Sequence, residues 1–190
     1  GLMTLNPSTN VAYCTDFSFS AWTPIDPVFK TYASTNILSQ HTMSDGRLAL
    51  ICSTPAPNPR SFFVKTSINR FETTSDDITF ATNQTLGSVK VHQNGDVLHI
   101  VNSPGSLNVL ISYFRVVYNP SNQTWSCTNT ATGIGSTDGH SGSIYRQSGI
   151  PAAEPGGRLW IIYKGFIDPS IGHYASTYYS DNNGTTWTFS

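Results

Sequence analysis

Two short patterns recur along this chain at a fixed offset, and that recurrence limits the fold more than any other feature. The first pattern is a turn feeding an apolar strand. It appears as Ser44-Asp45-Gly46-Arg47-Leu48-Ala49-Leu50-Ile51, as Gln93-Asn94-Gly95-Asp96-Val97-Leu98-His99-Ile100, and as Pro155-Gly156-Gly157-Arg158-Leu159-Trp160-Ile161-Ile162. The second pattern is polar and closes on tryptophan. Residues 178–188, YYSDNNGTTWT, align with residues 13–23, YCTDFSFSAWT, sharing Tyr, Ser/Thr-Asp, Ser/Thr and Trp-Thr in register. A shorter copy ends in Gln123-Thr124-Trp125, with Asn122 in the place of Gly184. Asn and Gly are the residues that best tolerate a left-handed turn conformation. Gly95 precedes Trp125 by 30 residues, and Gly157 precedes Trp187 by 30. The first unit has no such Trp, but its Ser67-Ile68-Asn69 mirrors Ser180-Asp181-Asn182.

A unit of this size cannot bury its own apolar face and must stack on its neighbours. The turn-fed strand is apolar on both sides, as a central strand should be. The polar stretch reads as a hairpin whose Ser and Asp oxygens bond turn amides, with Gly supplying positive φ and Trp filling the space between units. The expectation is a single all-β domain over 1–190, with repeat units at about 44–80, 93–127 and 155–189. Residues 11–23 are expected to add an outer hairpin or strand. Trp22, Trp125, Gly184 and Trp187 are the expected structural residues of the repeat.

Ser180-Asp181-Asn182-Asn183-Gly184-Thr185-Thr186-Trp187 resembles an Asp box, the Ser-x-Asp-x-Gly-x-Thr-Trp repeat of sialidase-like β-propellers. Asn182 stands where that family has its aspartate. The stretch Thr15–Trp22 lacks the glycine, and Tyr118–Trp125 has Pro120 at the aspartate place. The resemblance implies a propeller-like arrangement of antiparallel units, with a β-sandwich or β-barrel as the alternative. Three units and a hairpin are fewer than the four to eight blades of a closed propeller. The chain is therefore expected to be a piece of a larger propeller, or to close as a homo-oligomer.

Composition narrows the function classes. Only 11% of residues are charged and the net charge is −1, which argues against nucleic acid or an anionic membrane as partner. No apolar run approaches the ~20 residues of a membrane span. Gly1-Leu2-Met3 has neither the basic start nor the apolar stretch of a secretory leader, so the domain is expected to be cut from a longer polypeptide. Cys14, Cys52 and Cys127 allow at most one disulfide, show no zinc spacing and are expected as buried or half-buried thiols. Asn-x-Ser/Thr sequons stand at Asn83, Asn122 and Asn183.

Catalytic equipment is sparse. Glu72 and Glu154 are the only glutamates. Arg146 and Ile150-Pro151 resemble the sialidase Arg-Ile-Pro motif with three residues inserted, and Arg47 and Arg158 read as ordinary strand-start arginines. Gly139-His140-Ser141-Gly142-Ser143 resembles the nucleophile loop of chymotrypsin-like proteases, with His41 and Asp77 in the matching order. The histidines at 41, 92, 99, 140 and 173 show no metal spacing, no phosphate or dinucleotide loop is present, and no cofactor is expected.

The expectation is a non-catalytic recognition domain displayed outside the cell or on a virion surface, such as a capsid protruding or spike domain. Its partner would be a glycan or cell-surface receptor. The loop from Thr128 to Gly156 carries the expected ligand-binding residues His140, Ser141, Tyr145 and Arg146, with the turns near Pro55–Arg60 and Asn102–Asn108 as the next candidates. The alternatives are a fragment of a sialidase-like glycoside hydrolase and a serine protease using Ser141.

Overall fold

The chain is seen in a computed structural model. It describes residues 3–6, 10–13, 23–24, 36–54, 57, 59–67, 78–84, 87–103, 110–134, 149–153, 158–168 and 172–190. Among these there is no helix, and the domain is all-β. Strands β1 (Met3–Asn6), β2 (Asn10–Tyr13) and β3 (Thr23–Pro24) form a three-stranded sheet. Three four-stranded sheets follow. The first contains β4 (Asn36–Thr42), β5 (Leu48–Ser53), β6 (Arg60–Ser67) and β7 (Ile78–Gln84). The second contains β8 (Ser88–Asn94), β9 (Val97–Ser103), β10 (Ser112–Asn119) and β11 (Thr124–Ala131). The third contains β12 (Gly149–Ala153), β13 (Leu159–Asp168), β14 (Gly172–Ser180) and β15 (Thr188–Phe189). Each is an antiparallel meander in chain order, and none of the sheets closes on itself.

The turn-fed strands are the second strands of these sheets, and β5 and β9 are buried on both faces. Gly46 at φ 82° and Gly95 at φ 59° make the turns that precede them. Neighbouring sheets stack, β4 beside β8, β12 beside β8 and β9, and β7 beside β11. Ala49, Ile51, Phe62, Val64 and Phe80 of the first sheet pack on Leu98, Ile100, Phe114 and Val116 of the second. Phe62, Phe80 and Phe114 meet with centroids 5.5 to 6.1 Å apart. Burying each such ring contributes roughly 1.5–3 kcal/mol. A second core joins Val101, Ile111, Tyr113 and Ile134 to Leu159, Ile161, Tyr178 and Trp187.

The polar turn after β14 satisfies its own backbone. Ser180 Oγ accepts from the Gly184 amide at 2.9 Å, and Asn182 Oδ1 accepts from the Thr186 amide at 2.9 Å. Asn183 and Gly184 are both left-handed, at φ 54° and 83°. In the turn before Trp125, however, the left-handed residue is Gln123 at φ 58° rather than Asn122. Asn122 instead uses its side-chain oxygen to accept from the Thr124 amide and hydroxyl at 3.3 and 2.7 Å. That bond holds the turn without a positive φ at the asparagine.

Gly184 is constrained twice, because a Cβ built there would overlap the Tyr113 ring. Gly95 has a positive φ but open space around it. Gly184→Ala should therefore lower stability by about 3 kcal/mol through overpacking and left-handed strain together. Gly95→Ala should cost about 1–2 kcal/mol from backbone strain alone. Urea unfolding of the two variants checks the order; equal losses would contradict the Tyr113 contact.

Candidate functional site

Strand alternation divides the third sheet into a core face and an open face. Leu159, Ile161 and Tyr178 point into the core. Trp160 pairs with Tyr179 and Ile162 with Thr177 on the opposite face, while Thr188 of β15 pairs with Tyr179. Arg158 precedes β13 and Asp181 follows β14, one step beyond the Leu159–Ser180 pair, so both fall on this open face. Arg158 Nε and Nη2 donate to Asp181 Oδ1 and Oδ2 at 2.6 and 3.0 Å. This is the two-pronged geometry that fixes an arginine fork against a carboxylate. The guanidinium lies 4.4 Å from the Tyr179 ring centroid and 5.7 Å from that of Trp160. The two rings are 5.5 Å apart and tilted by 50°. The side chains of Arg158 and Asp181 are 38% and 57% exposed, and Ile162 is 50% exposed. An ion pair this open to water adds little to stability, about 0–1 kcal/mol. Its consequence is order: charge, hydrogen-bonding groups and aromatic surface are held together on a rigid sheet.

The same chemistry occurs in closed form between the first and second sheets. Arg47 follows Gly46 as Arg158 follows Gly157. Its Nε lies 3.5 Å from Asp45 Oδ2, and its guanidinium is 5.4 Å from the centroid of the Tyr118 ring. The Tyr118 hydroxyl donates to Asp45 Oδ2 at 2.8 Å. Burial, with that donation to Asp45, pushes the Tyr118 phenol up to about 12. Covered by the next sheet, Arg47 is only 6% exposed. An Arg–Asp pair in this protein thus already receives a hydroxylated ring.

Other polar side chains tie sheets together. Ser44 donates through its amide and hydroxyl to Asp96 at 2.8 and 2.6 Å, and Gln93 Nε2 donates to the Thr42 carbonyl at 2.6 Å. His41 lies 3.2 Å from Gln93 Oε1 and 3.0 Å from Ser39 Oγ. Burial lowers its pKa, partly offset by the Gln93 bond. His99 Nδ1 is 2.7 Å from the Tyr113 hydroxyl, which in turn donates to the Asn183 carbonyl at 3.2 Å. Burial, then the charges of His92 and Arg115, hold His99 at about 4. Burial likewise pushes the Tyr113 phenol up. Among the described residues no group of His, Cys, Asp and Glu could hold a metal ion. Cys52 is a buried thiol and Cys127 a half-buried one, and burial pushes Cys127 up to about 11.

His140, Ser141, Tyr145 and Arg146 lie outside the described residues, as do Trp22, Asp77 and Cys14. So do most of residues 55–58 and 104–108. Trp125 packs on Tyr118 of its own sheet at 4.8 Å. Trp187 meets Tyr113 of the preceding sheet edge-on at 5.2 Å and 74°. The Arg158–Asp181–Trp160–Tyr179 group was not legible as a group, because its halves lie on different strands. Its trace in the sequence is alternation: Arg158-x-Trp160 opposite Tyr179-x-Asp181.

No family model matches the chain, and no curated protein matches it. Its fold does resemble solved structures. A protein of unknown function from Dyadobacter fermentans DSM 18053 aligns with a TM-score of 0.57 at 11% identity, over 99% of this chain and 59% of that one. The polysaccharide lyase PL25, an ulvan lyase, solved alone and bound to GlcA(1-4)Rha3S, aligns with a TM-score of 0.50 at 12% identity, over 95% of this chain and 48% of that one. The chain thus spans about half to three-fifths of the length of these structures.

The buried His99 makes stability depend on pH. Its folded value of about 4 lies below the ordinary imidazole value of 6.5 expected on unfolding. The unfolded chain therefore binds the proton first, and the contribution of neutral His99 is complete above pH 6.5 and lost as pH falls toward 4. Urea midpoints should fall over that interval, and His99→Gln should fall less steeply. Parallel profiles for the two proteins would show that His99 is not the titrating group.

Proposed function

We propose that this domain is a non-catalytic carbohydrate-recognition module that takes a sugar on the open face of its third sheet. The observation that carries this reading is the Trp160–Tyr179 ring pair held beside the exposed Arg158–Asp181 fork. Sugar rings offer apolar C–H faces and edges of hydroxyl groups. Aromatic rings match the first, and planar charged groups with open lone pairs match the second. The structural likeness to an ulvan lyase that was solved with a bound saccharide supports a fold compatible with carbohydrate work. Low charge and exposed sequon asparagines at Asn83, Asn122 and Asn183 support display outside the cell, as an attachment domain would require. Among the described residues no helix is long and apolar enough to cross a membrane.

Screening the domain on a glycan array tests the proposal. Wild type should bind a carbohydrate, and Trp160→Ala should weaken that binding by roughly 1–3 kcal/mol, about 5- to 150-fold in Kd, as loss of an anchoring ring does. Its far-UV circular dichroism should be unchanged. Tyr145→Ala and Arg146→Ala provide the comparison. If they abolish binding while Trp160→Ala binds like wild type, the loop is the site and the open face is not. Absence of any glycan binding would contradict the proposal outright.

A further inference from the structure

Resting on that carbohydrate-binding reading, we infer that the site selects neutral, hydroxyl-rich sugars over those bearing carboxylate or sulfate. A lone arginine beside two aromatic rings would attract an anionic sugar. Here the fork is already occupied: two N–H groups of Arg158 are committed to Asp181 at 2.6 and 3.0 Å. The two charges of the pair offset each other; Lys164, two residues beyond Ile162, falls on the same face by strand alternation, so the discrimination has to come from the occupied fork itself. An incoming carboxylate or sulfate would meet the exposed Asp181 charge, and to gain the fork it would have to displace a partner already held by charge-assisted bonds.

A hydroxyl group faces no such barrier. A carboxylate offers about four lone-pair sites, and Arg158 is the partner Asp181 has among the described residues. The closed counterpart shows how a hydroxylated ring meets this chemistry. Tyr118 donates its hydroxyl to Asp45 while its ring lies against the Arg47 guanidinium. A sugar at the open site would use the same two contacts, one hydroxyl donated to Asp181 and a C–H face set against the apolar surface of Trp160 and Ile162. The uncharged Thr177 and Thr188 flank that surface in the register of the sheet.

The test compares paired oligosaccharides that differ in a C6 carboxylate, β-1,4-glucose oligomers against β-1,4-glucuronate oligomers and galactose oligomers against galacturonate oligomers. Wild type and Asp181→Asn are both titrated, each at low and at physiological salt. The wild type should retain the neutral member of a pair with an affinity that changes little with salt, since no net charge is matched. Asp181→Asn releases the Arg158 fork and should shift the preference toward the uronate by about tenfold or more, the scale of a charge-assisted hydrogen bond. Wild type that binds the uronate as well as or better than its neutral pair overturns the inference while leaving carbohydrate recognition standing. An unchanged ratio in a folded Asp181→Asn domain also overturns it, because Asp181 would then not discriminate. If wild type binds no member of any pair or of the wider array, recognition itself fails and this inference falls with it.

Discussion

A four-stranded antiparallel meander has two faces and can cover neither by itself, and the rest of this structure follows from that constraint. Strands β5 and β9 carry apolar residues on both sides and are buried along both, so their sheets need cover on both faces. The aromatic trio of Phe62, Phe80 and Phe114 fastens the first two sheets, and Tyr113 with Trp187 fastens the second to the third. The third sheet buries one face in this way, while its other face leaves Ile162 half exposed beside Trp160 and Tyr179. The candidate site is thus the same kind of surface that elsewhere becomes core, here open to a ligand.

Polar groups follow the same division. Where sheets meet, hydroxyls and amides are consumed in fixing the stack, as in Ser44 with Asp96 and the Tyr113 hydroxyl with the Asn183 carbonyl. A buried ring such as Tyr113 needs a partner for its hydroxyl, because an unsatisfied group costs roughly 1–3 kcal/mol. On the open face the Arg158–Asp181 pair can keep its geometry while still exchanging hydrogen bonds with water or a ligand. The contrast with Arg47 and Asp45 shows one local sequence idea, an arginine directly after a turn glycine, serving packing in one place and presenting chemistry in another.

The all-β class was legible because turn glycines and alternating or continuous apolar strands are local signals. Gly46 and Gly95 stand in the turns where such residues are needed. Local reading fails at Asn122, because the asparagine holds its turn through its side chain while Gln123 takes the left-handed conformation. The reason Gly184 cannot carry a side chain was invisible, because Tyr113 reaches it from 71 positions away in the chain. Arg158 was read as a routine strand-start residue for a similar reason. Its meaning depends on the register that brings Asp181 and Tyr179 across from it, and register is set by the whole sheet rather than by any single stretch.

Recognition through the ring-bearing face of the third sheet requires that the ligand touch Trp160 while leaving the packing tryptophans alone. The chain has four tryptophans, each with one indole N–H signal. The most direct measurement is therefore a proton–nitrogen correlation spectrum of the domain, titrated with the oligosaccharide that it binds best. Indole signals would be assigned by single Trp→Phe substitutions. The Trp160 signal should move in proportion to saturation while those of Trp125 and Trp187 stay fixed. A saccharide that binds and shifts other signals but leaves Trp160 unmoved would contradict this account.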